Sequence, residues 1–245
     1  MTPNNQHPDP PTPAHQLRNP KQLRAHAGSI ILTGIDTAIT TRWDAAQQRA
    51  QRLTGTTNDE KINQLTGIFA KELGLLGAVA GGAAATPGIG TTTAIATTIA
   101  DLSYFTIRSS ELILTVAAIH GHTEPTIEEQ RAWISCILIF GDTATKGFTK
   151  LAGEAGKGLG KKATAKIPTA TLQAINRAAG RTLVTKYGTR RGIIAIGRAM
   201  PLGIGMAIGG TANYAGVQLL GRHANKFFTN LPYADGPTTP PPTST

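Results

Sequence analysis

The sequence predicts an all-α protein: one compact helical domain of six to eight helices, carried between two Pro-rich tails. Three observations lead there. Apolar residues through the middle of the chain recur at every third or fourth position, the spacing of one face of an α-helix. No segment alternates apolar and polar residues as a half-buried strand does. The periodic stretches are separated by clusters of Gly, Pro, Thr and Asn. Across its 245 residues the chain is 40% hydrophobic but only 5% aromatic. The core is therefore built from Ala, Ile, Leu and Val, and abundant Gly and Ala suggest closely packed backbones.

Residues 1–28 carry five prolines within the first thirteen positions and almost no apolar side chains, the signature of a disordered tail. Residues 230–245 have the same Pro/Thr-rich character. The domain between them spans 29–229. Its first helix, 29–53, sets Ile31, Ile35, Ile39, Trp43, Ala46 and Ala50 on one stripe, with Arg42, Gln47 and Arg49 off it. GTTND breaks the chain, and Asn58 or Asp59 is placed to cap a second helix over 60–85 with Ile62, Leu65, Phe69, Leu73 and Leu76 in register. A third helix runs from the threonines at 91–93 to about 119. HGHTEPTIEEQ is the next break, where Thr126 and Glu129 have capping-box spacing for a fourth helix over 127–144. Residues 145–168 are Gly/Lys-rich and ambiguous. Helical segments resume over 169–179, 181–187 and 190–199. Pro201 interrupts, and a last helix covers 204–228.

The uncharged stretch 73–100, LGLLGAVAGGAAATPGIGTTTAIATTIA, is long enough for a membrane span but poor in large apolar residues. Its seven large aliphatics contribute roughly −2 to −4 kcal/mol to insertion, which six Gly, six Thr and Pro87 largely offset. A helix–helix elbow fits better. Gly77 and Gly81 are four apart, and Gly82 follows Ala78 at the same spacing, which lets two helix backbones approach closely; Pro87, Gly88 and Gly90 end the helix. A second elbow reads MPLGIGMAIGG, with Gly205 and Gly209 four apart behind Pro201 and Gly210 after them.

The net charge of +10 is unevenly placed. Residues 1–144 hold 10 basic and 12 acidic side chains, whereas residues 145–229 hold 14 basic ones against Glu154 alone. The basic half contains Lys157, Lys161, Lys162, Lys166, Arg177, Arg181, Lys186, Arg190, Arg191 and Arg198. A clustered positive face calls for an anionic partner. Only Phe148 and Tyr187 accompany these cations, and no reading motif is present, which argues against nucleic acid and for anionic membrane lipid. A solvated face with no partner is the competing reading.

Asp101, Tyr104, Arg108 and Glu111 fall on one side of the third helix as a polar strip in an apolar segment. They read either as an internal ion-pair network that fixes packing or as a buried site for a ligand or proton. His120 and His122 flank Gly121 without the further ligands that a metal requires. Cys136, the single cysteine, lies among aliphatics as a core thiol, with no base beside it to make it a nucleophile. Gly158, Gly160 and Ala163 match GxGxxA without the strand that fingerprint needs. No metal, cofactor or catalytic constellation is signalled.

Three pieces of this chain resemble the EcsC family. GAVAGGAAATPGIGTTTAIATTIADL pairs a Gly/Ala-rich turn with an apolar helix that carries an Asp, here Asp101. AAIHGHTEPTIEEQRAW is a helix end followed by an acidic capped start, with His120 and His122 where the family often shows Tyr. MPLGIGMAIGGTANYAGVQLLGRHANKFF, the most specific, joins Pro, a Gly-rich turn, an Asn in a helix and a basic–Ala–aromatic close. The resemblance covers about residues 40–229. It implies a helical protein linked to membranes and transport by context, without a settled activity, and it carries over no catalytic residue. The expectation is a non-enzymatic protein at the cytosolic face of a membrane, with a transporter or another protein as a possible partner. The alternative is a cytoplasmic adaptor; an enzyme with a site near Asp101 ranks below both.

Overall fold

The computed structural model describes residues 20–84, 91–154, 167–188 and 206–231. Side-chain surroundings are described over 28–75, 102–154, 167–183 and 214–231. Among these residues every regular element is a helix and none is a strand. The order is α1 (Pro20–Arg52), α2 (Asn58–Ala84), α3 (Thr91–Ile119), α4 (Ile127–Phe140), a 3₁₀ turn (Gly141–Thr143), α5 (Ala144–Glu154), α6 (Thr169–Gly188) and α7 (Met206–Thr229).

The helix boundaries have local causes. α1 begins at Pro20, inside the segment expected to be a tail. Proline suits the first turn of a helix, and the residues after it carry no further proline. α2 is capped one residue earlier than expected. The Thr57 hydroxyl accepts from the Glu60 N–H at 3.2 Å, and the Glu60 carboxylate accepts from the Thr57 N–H at 3.4 Å and the Thr56 N–H at 2.8 Å. Asn58 and Asp59 are thus the first residues inside the helix, where the Asp59 charge meets the positive end of the dipole. α3 stops in a Schellman turn: Gly121, at φ +89°, donates to Ala118 O, and His122 donates to Ala117 O. α4 opens on the expected Thr126–Glu129 capping box and ends sooner than expected, at Phe140, through the 3₁₀ turn. The two pieces expected over 169–187 are one helix, because Gly180 lowers helix propensity without breaking the hydrogen-bond ladder. At the C-terminal end Leu231, expected in the tail, is buried in the core.

The core forms where these helices share apolar stripes. Ile31, Ile35, Ile39 and Ala46 of α1 are buried with Leu65 and Phe69 of α2, Leu112 and Val116 of α3, and Trp133 and Ile137 of α4. α1 lies along α3, with Gly34 against Thr106. α7 lies along α2 and runs antiparallel to it: Asn225 meets Asp59, and Gln218 meets Thr66. The Gly-rich C-terminal part of α2 and the N-terminal part of α7 therefore lie toward the same end of that pair. α4 packs on α5 and α6, and α6 also covers α1. α2 and α7 lie close together at Gly221, where an added Cβ would overlap Thr66 Cγ2.

The stretch 73–100 is divided between α2 and α3, with residues 85–90 outside the described residues. Pro87, Gly88, Gly90, Pro201 and Gly205 of the expected elbows also lie outside them. Gly77, Gly81, Gly82, Gly209 and Gly210 fall within α2 and α7, and their surroundings lie outside the described ones.

Candidate functional site

Two features merit chemical scrutiny: the charged cluster inside the bundle and the basic surface of the second half.

The cluster grows from the polar strip of α3. Arg108 and Glu111 are three residues apart and form a buried ion pair. Arg108 also holds Glu72 of α2 with two parallel bonds, one from Nε to Oε1 at 2.8 Å. The Tyr104 hydroxyl donates to the same Glu72 oxygen at 2.8 Å. From α1, Arg49 donates to Glu111 at 3.1 Å, and Arg42 approaches it at 3.9 Å. The Arg108 and Arg49 guanidiniums lie 4.5 and 5.1 Å from the Phe69 ring centre, a cation–π arrangement. Tyr104, Arg108 and Glu111 of the strip therefore belong to one network, which Tyr104 joins through Glu72 of α2. Asp101 belongs to α3, but its side chain lies outside the described residues.

Glu72, Arg42 and Arg49 were not read from the sequence as members of this cluster. Arg42 and Arg49 were placed off the apolar stripe of α1, yet they project from its flank far enough to reach Glu111. A signal existed: Glu72 follows Leu65 by seven residues, and Arg42 and Arg49 continue the line of Ile35 at the same interval. Burial alone would raise the Glu72 carboxyl, but hydrogen bonds from Arg108 and Tyr104 and the charges of Arg108 and Arg49 hold it below the usual range. For Arg108, burial works against the charge, and the bonds to Glu72 and Glu111 outweigh it. Burial, then Glu72, pushes the Tyr104 phenol up. The donors of Arg108 are directed at protein carboxylates, which favours the packing reading over a ligand site.

A second chain of contacts ties three helix ends. His120 Nε2 lies 2.8 Å from Asn225 Oδ1, and Asn225 Nδ2 donates to Asp59 at 2.6 Å. The bond to Asp59 sets the amide orientation, so Nε2 of His120 carries the proton. Burial holds the His120 imidazole below its ordinary pKa, against the pull of Asn225 and Asp59. His122 is buried against Trp133 and Phe228 at ring separations of 4.8 and 5.4 Å. Among the described residues no group of three or more His, Cys, Asp or Glu side chains could hold a metal. Cys136 is buried, and burial pushes its thiol up to about 12, far from a reactive thiolate at neutral pH.

Of the basic residues, Arg177 and Arg181 stand exposed on α6. They flank the Asp36–Arg131 ion pair, 2.9 Å long, that joins α1 to α4. Lys186 belongs to α6, with its side chain outside the described residues. Lys157, Lys161, Lys162, Lys166, Arg190, Arg191 and Arg198 lie outside the described residues altogether. Among the described residues one segment, Leu102–Ile119, is long and apolar enough to cross a membrane, with mean hydropathy 1.2. It is also 72% buried inside the bundle and carries Arg108 and Glu111.

Comparison of the chain with family models, with curated proteins and with solved structures found no match. Fold and site together define an all-helical protein with an internal arginine–carboxylate network and a strongly basic second half.

Proposed function

We propose that this chain is an EcsC-like, non-enzymatic protein that attaches to the cytosolic surface of a membrane through its basic second half. The observation that carries the reading is the charge split: 14 Lys and Arg against one Glu over residues 145–229, beside an acidic excess in residues 1–144. Each cation near an anionic leaflet contributes on the order of 1 kcal/mol, so a handful suffices for stable attachment at moderate salt. The exposure of Arg177 and Arg181 supports this. The burial of Leu102–Ile119 supports attachment from the surface rather than by that helix. The Gly-rich ends of α2 and α7 would supply helix contacts that loosen against lipid.

Sedimentation with vesicles tests it. The full chain is expected to pellet with phosphatidylserine-containing vesicles at low salt, to be released by about 0.5 M salt as screening shortens the range of attraction to a few ångströms, and to ignore neutral vesicles. Converting Lys157, Lys161, Lys162 and Lys166 to Gln is expected to weaken binding at least tenfold. Equal pelleting with neutral and anionic vesicles at low salt would remove the electrostatic basis. A wholly soluble fraction with no lipid preference would favour the alternative, an adaptor that binds another protein such as a transporter subunit.

A further inference from the structure

We propose that one end of the bundle, where α2 stops and α1, α3 and α7 start, enters the contacting leaflet of a lipid bilayer as an apolar wedge. The wedge rests on the membrane reading for its partner and goes beyond it. The basic second half draws the chain to the surface, and this end sets its orientation and depth there. Packing brings the four helix ends together. α2 and α3 face each other at Glu72 and Tyr104, and only residues 85–90 separate Ala84 from Thr91. α7 is antiparallel to α2, since Asn225 meets Asp59 and Gln218 meets Thr66. α1 runs parallel to α3: Gly34 lies against Thr106, and farther along Arg49 reaches Glu111 and Gln47 donates to Thr123 O.

The sequence empties this end of carboxylates. Residues 73–100 and 206–221 carry no charged side chain. The first turns of α1 add Lys21, Arg24 and His26, and α1 holds no acid before Asp36. The opposite end of the same helices carries Asp59, Glu60 and Glu124. The only charges offered at the wedge are therefore cationic, on long stems that reach lipid headgroups. A second copy packed end to end would set those cations against their like, whereas an anionic leaflet pairs with them. Exposure is the second observation. Ile68 and Leu75 of α2 are seven residues apart on one face, and both are exposed, Leu75 at 69%. Two exposed tyrosines stand at one level below the tip. Tyr104 is level with Glu72, to which it donates, and the pairing of α2 with α7 sets Tyr214 level with about Ala70. Tyrosine favours the membrane–water interface, because its ring is apolar and its hydroxyl polar. Beyond that level the uncharged helix rises roughly 12–18 Å at about 1.5 Å per residue, close to one leaflet of a hydrocarbon core about 30 Å thick.

Depth-resolved quenching on the full chain tests this. Cys136 is buried with its thiol pushed up to about 12, so a maleimide dye reports only on an introduced cysteine. On phosphatidylserine-containing vesicles, dye at Leu75→Cys is expected to be quenched at least about twice as strongly as dye at Asn58→Cys, by lipid spin-labelled near the headgroup end of its acyl chain. Asn58 is exposed at the opposite end of α2. The double variant Ile68→Gln, Leu75→Gln keeps the net charge, and is expected to weaken vesicle binding by about tenfold or more; electrostatic attachment alone predicts no change. Circular dichroism checks that it folds, and quenching at Leu75→Cys decides should it not. Unweakened binding in the folded double variant, or equal quenching at the two dye positions, overturns the wedge and leaves electrostatic attachment standing. Strong quenching at Leu75→Cys with pelleting that ignores salt and headgroup charge supports the wedge and removes the electrostatic reading. No pelleting with any vesicle overturns both. A dimer whose dye at Leu75→Cys is already shielded without lipid makes this end a self-interface and overturns the wedge.

Discussion

A carboxylate that faces three arginines has more to lose than a surface partner, and Glu111 shows it. Its side chain is 1% exposed, and Arg108, bonded to it, is 10% exposed. Removing one member of a buried pair leaves the other uncompensated, at a cost of about 3–5 kcal/mol. Glu111→Gln is therefore expected to lower Tm by roughly 6–20 °C in a chain of this size. Asp36→Asn breaks an ion pair whose side chains are 51% and 33% exposed, and is expected to cost less than about 1 kcal/mol. Thermal melts of both variants test the contrast; equal shifts would show that burial does not govern the network. Half of this cluster was legible. Arg108 and Glu111 are neighbours on one helix, and local spacing suffices to pair them. Glu72 and Arg49 are partners only because α1, α2 and α3 meet, and helix periodicity does not encode which faces meet.

The elements were legible to the extent that their signals are local. Thr126 and Glu129 announced α4 because nothing nearby competes with them as a cap. At α2 the run TTND offers four capping side chains in a row, and Glu60, reaching back to Thr57, decides among them. Gly180 read as a break because glycine is a poor helix former, yet the ladder of α6 continues through it. Gly221 gave no signal, since a glycine inside a periodic helix shows its purpose only against a neighbour. That neighbour is Thr66, whose branched Cβ resists rotation. Gly221→Ala is expected to force α2 and α7 apart and to destabilise by about 1–3 kcal/mol. Thr66→Ser, which removes Cγ2 and keeps the hydroxyl that donates to Asn63 O, is expected to recover most of the loss. Chemical denaturation of the two single variants and the double variant measures this. If the double variant is as unstable as Gly221→Ala alone, the close approach at Thr66 is not what requires glycine.

For the molecule as a whole, the same burial that builds the core sets its response to acid. His120 and His223 are both held below the ordinary imidazole value, chiefly by burial. The unfolded chain therefore takes up protons before the folded one. Stability is fully present above pH 6.5, the ordinary histidine value, and is lost as pH falls through the lower folded values. Glu72 is also depressed, its stabilised carboxylate favouring the fold above about pH 4.5 and losing that advantage as pH falls through its lower folded value. Two steps should follow in a plot of Tm against pH: a decline that begins as pH falls below about 6.5, and a second below about 4.5. His120→Gln, whose amide can still donate to Asn225, is expected to shrink the first step to the part that His223 contributes and to leave the second. Glu72→Gln is expected to lower Tm at neutral pH and flatten the second. The same acidification adds positive charge to a chain already at +10, so vesicle binding is expected to strengthen while the fold weakens. Melting curves and pelleting assays at pH 7.5, 6.0 and 5.5 separate these opposed trends. A Tm that rises on acidification across that window would mean that the buried imidazoles gain partners, rather than lose water, when the chain folds.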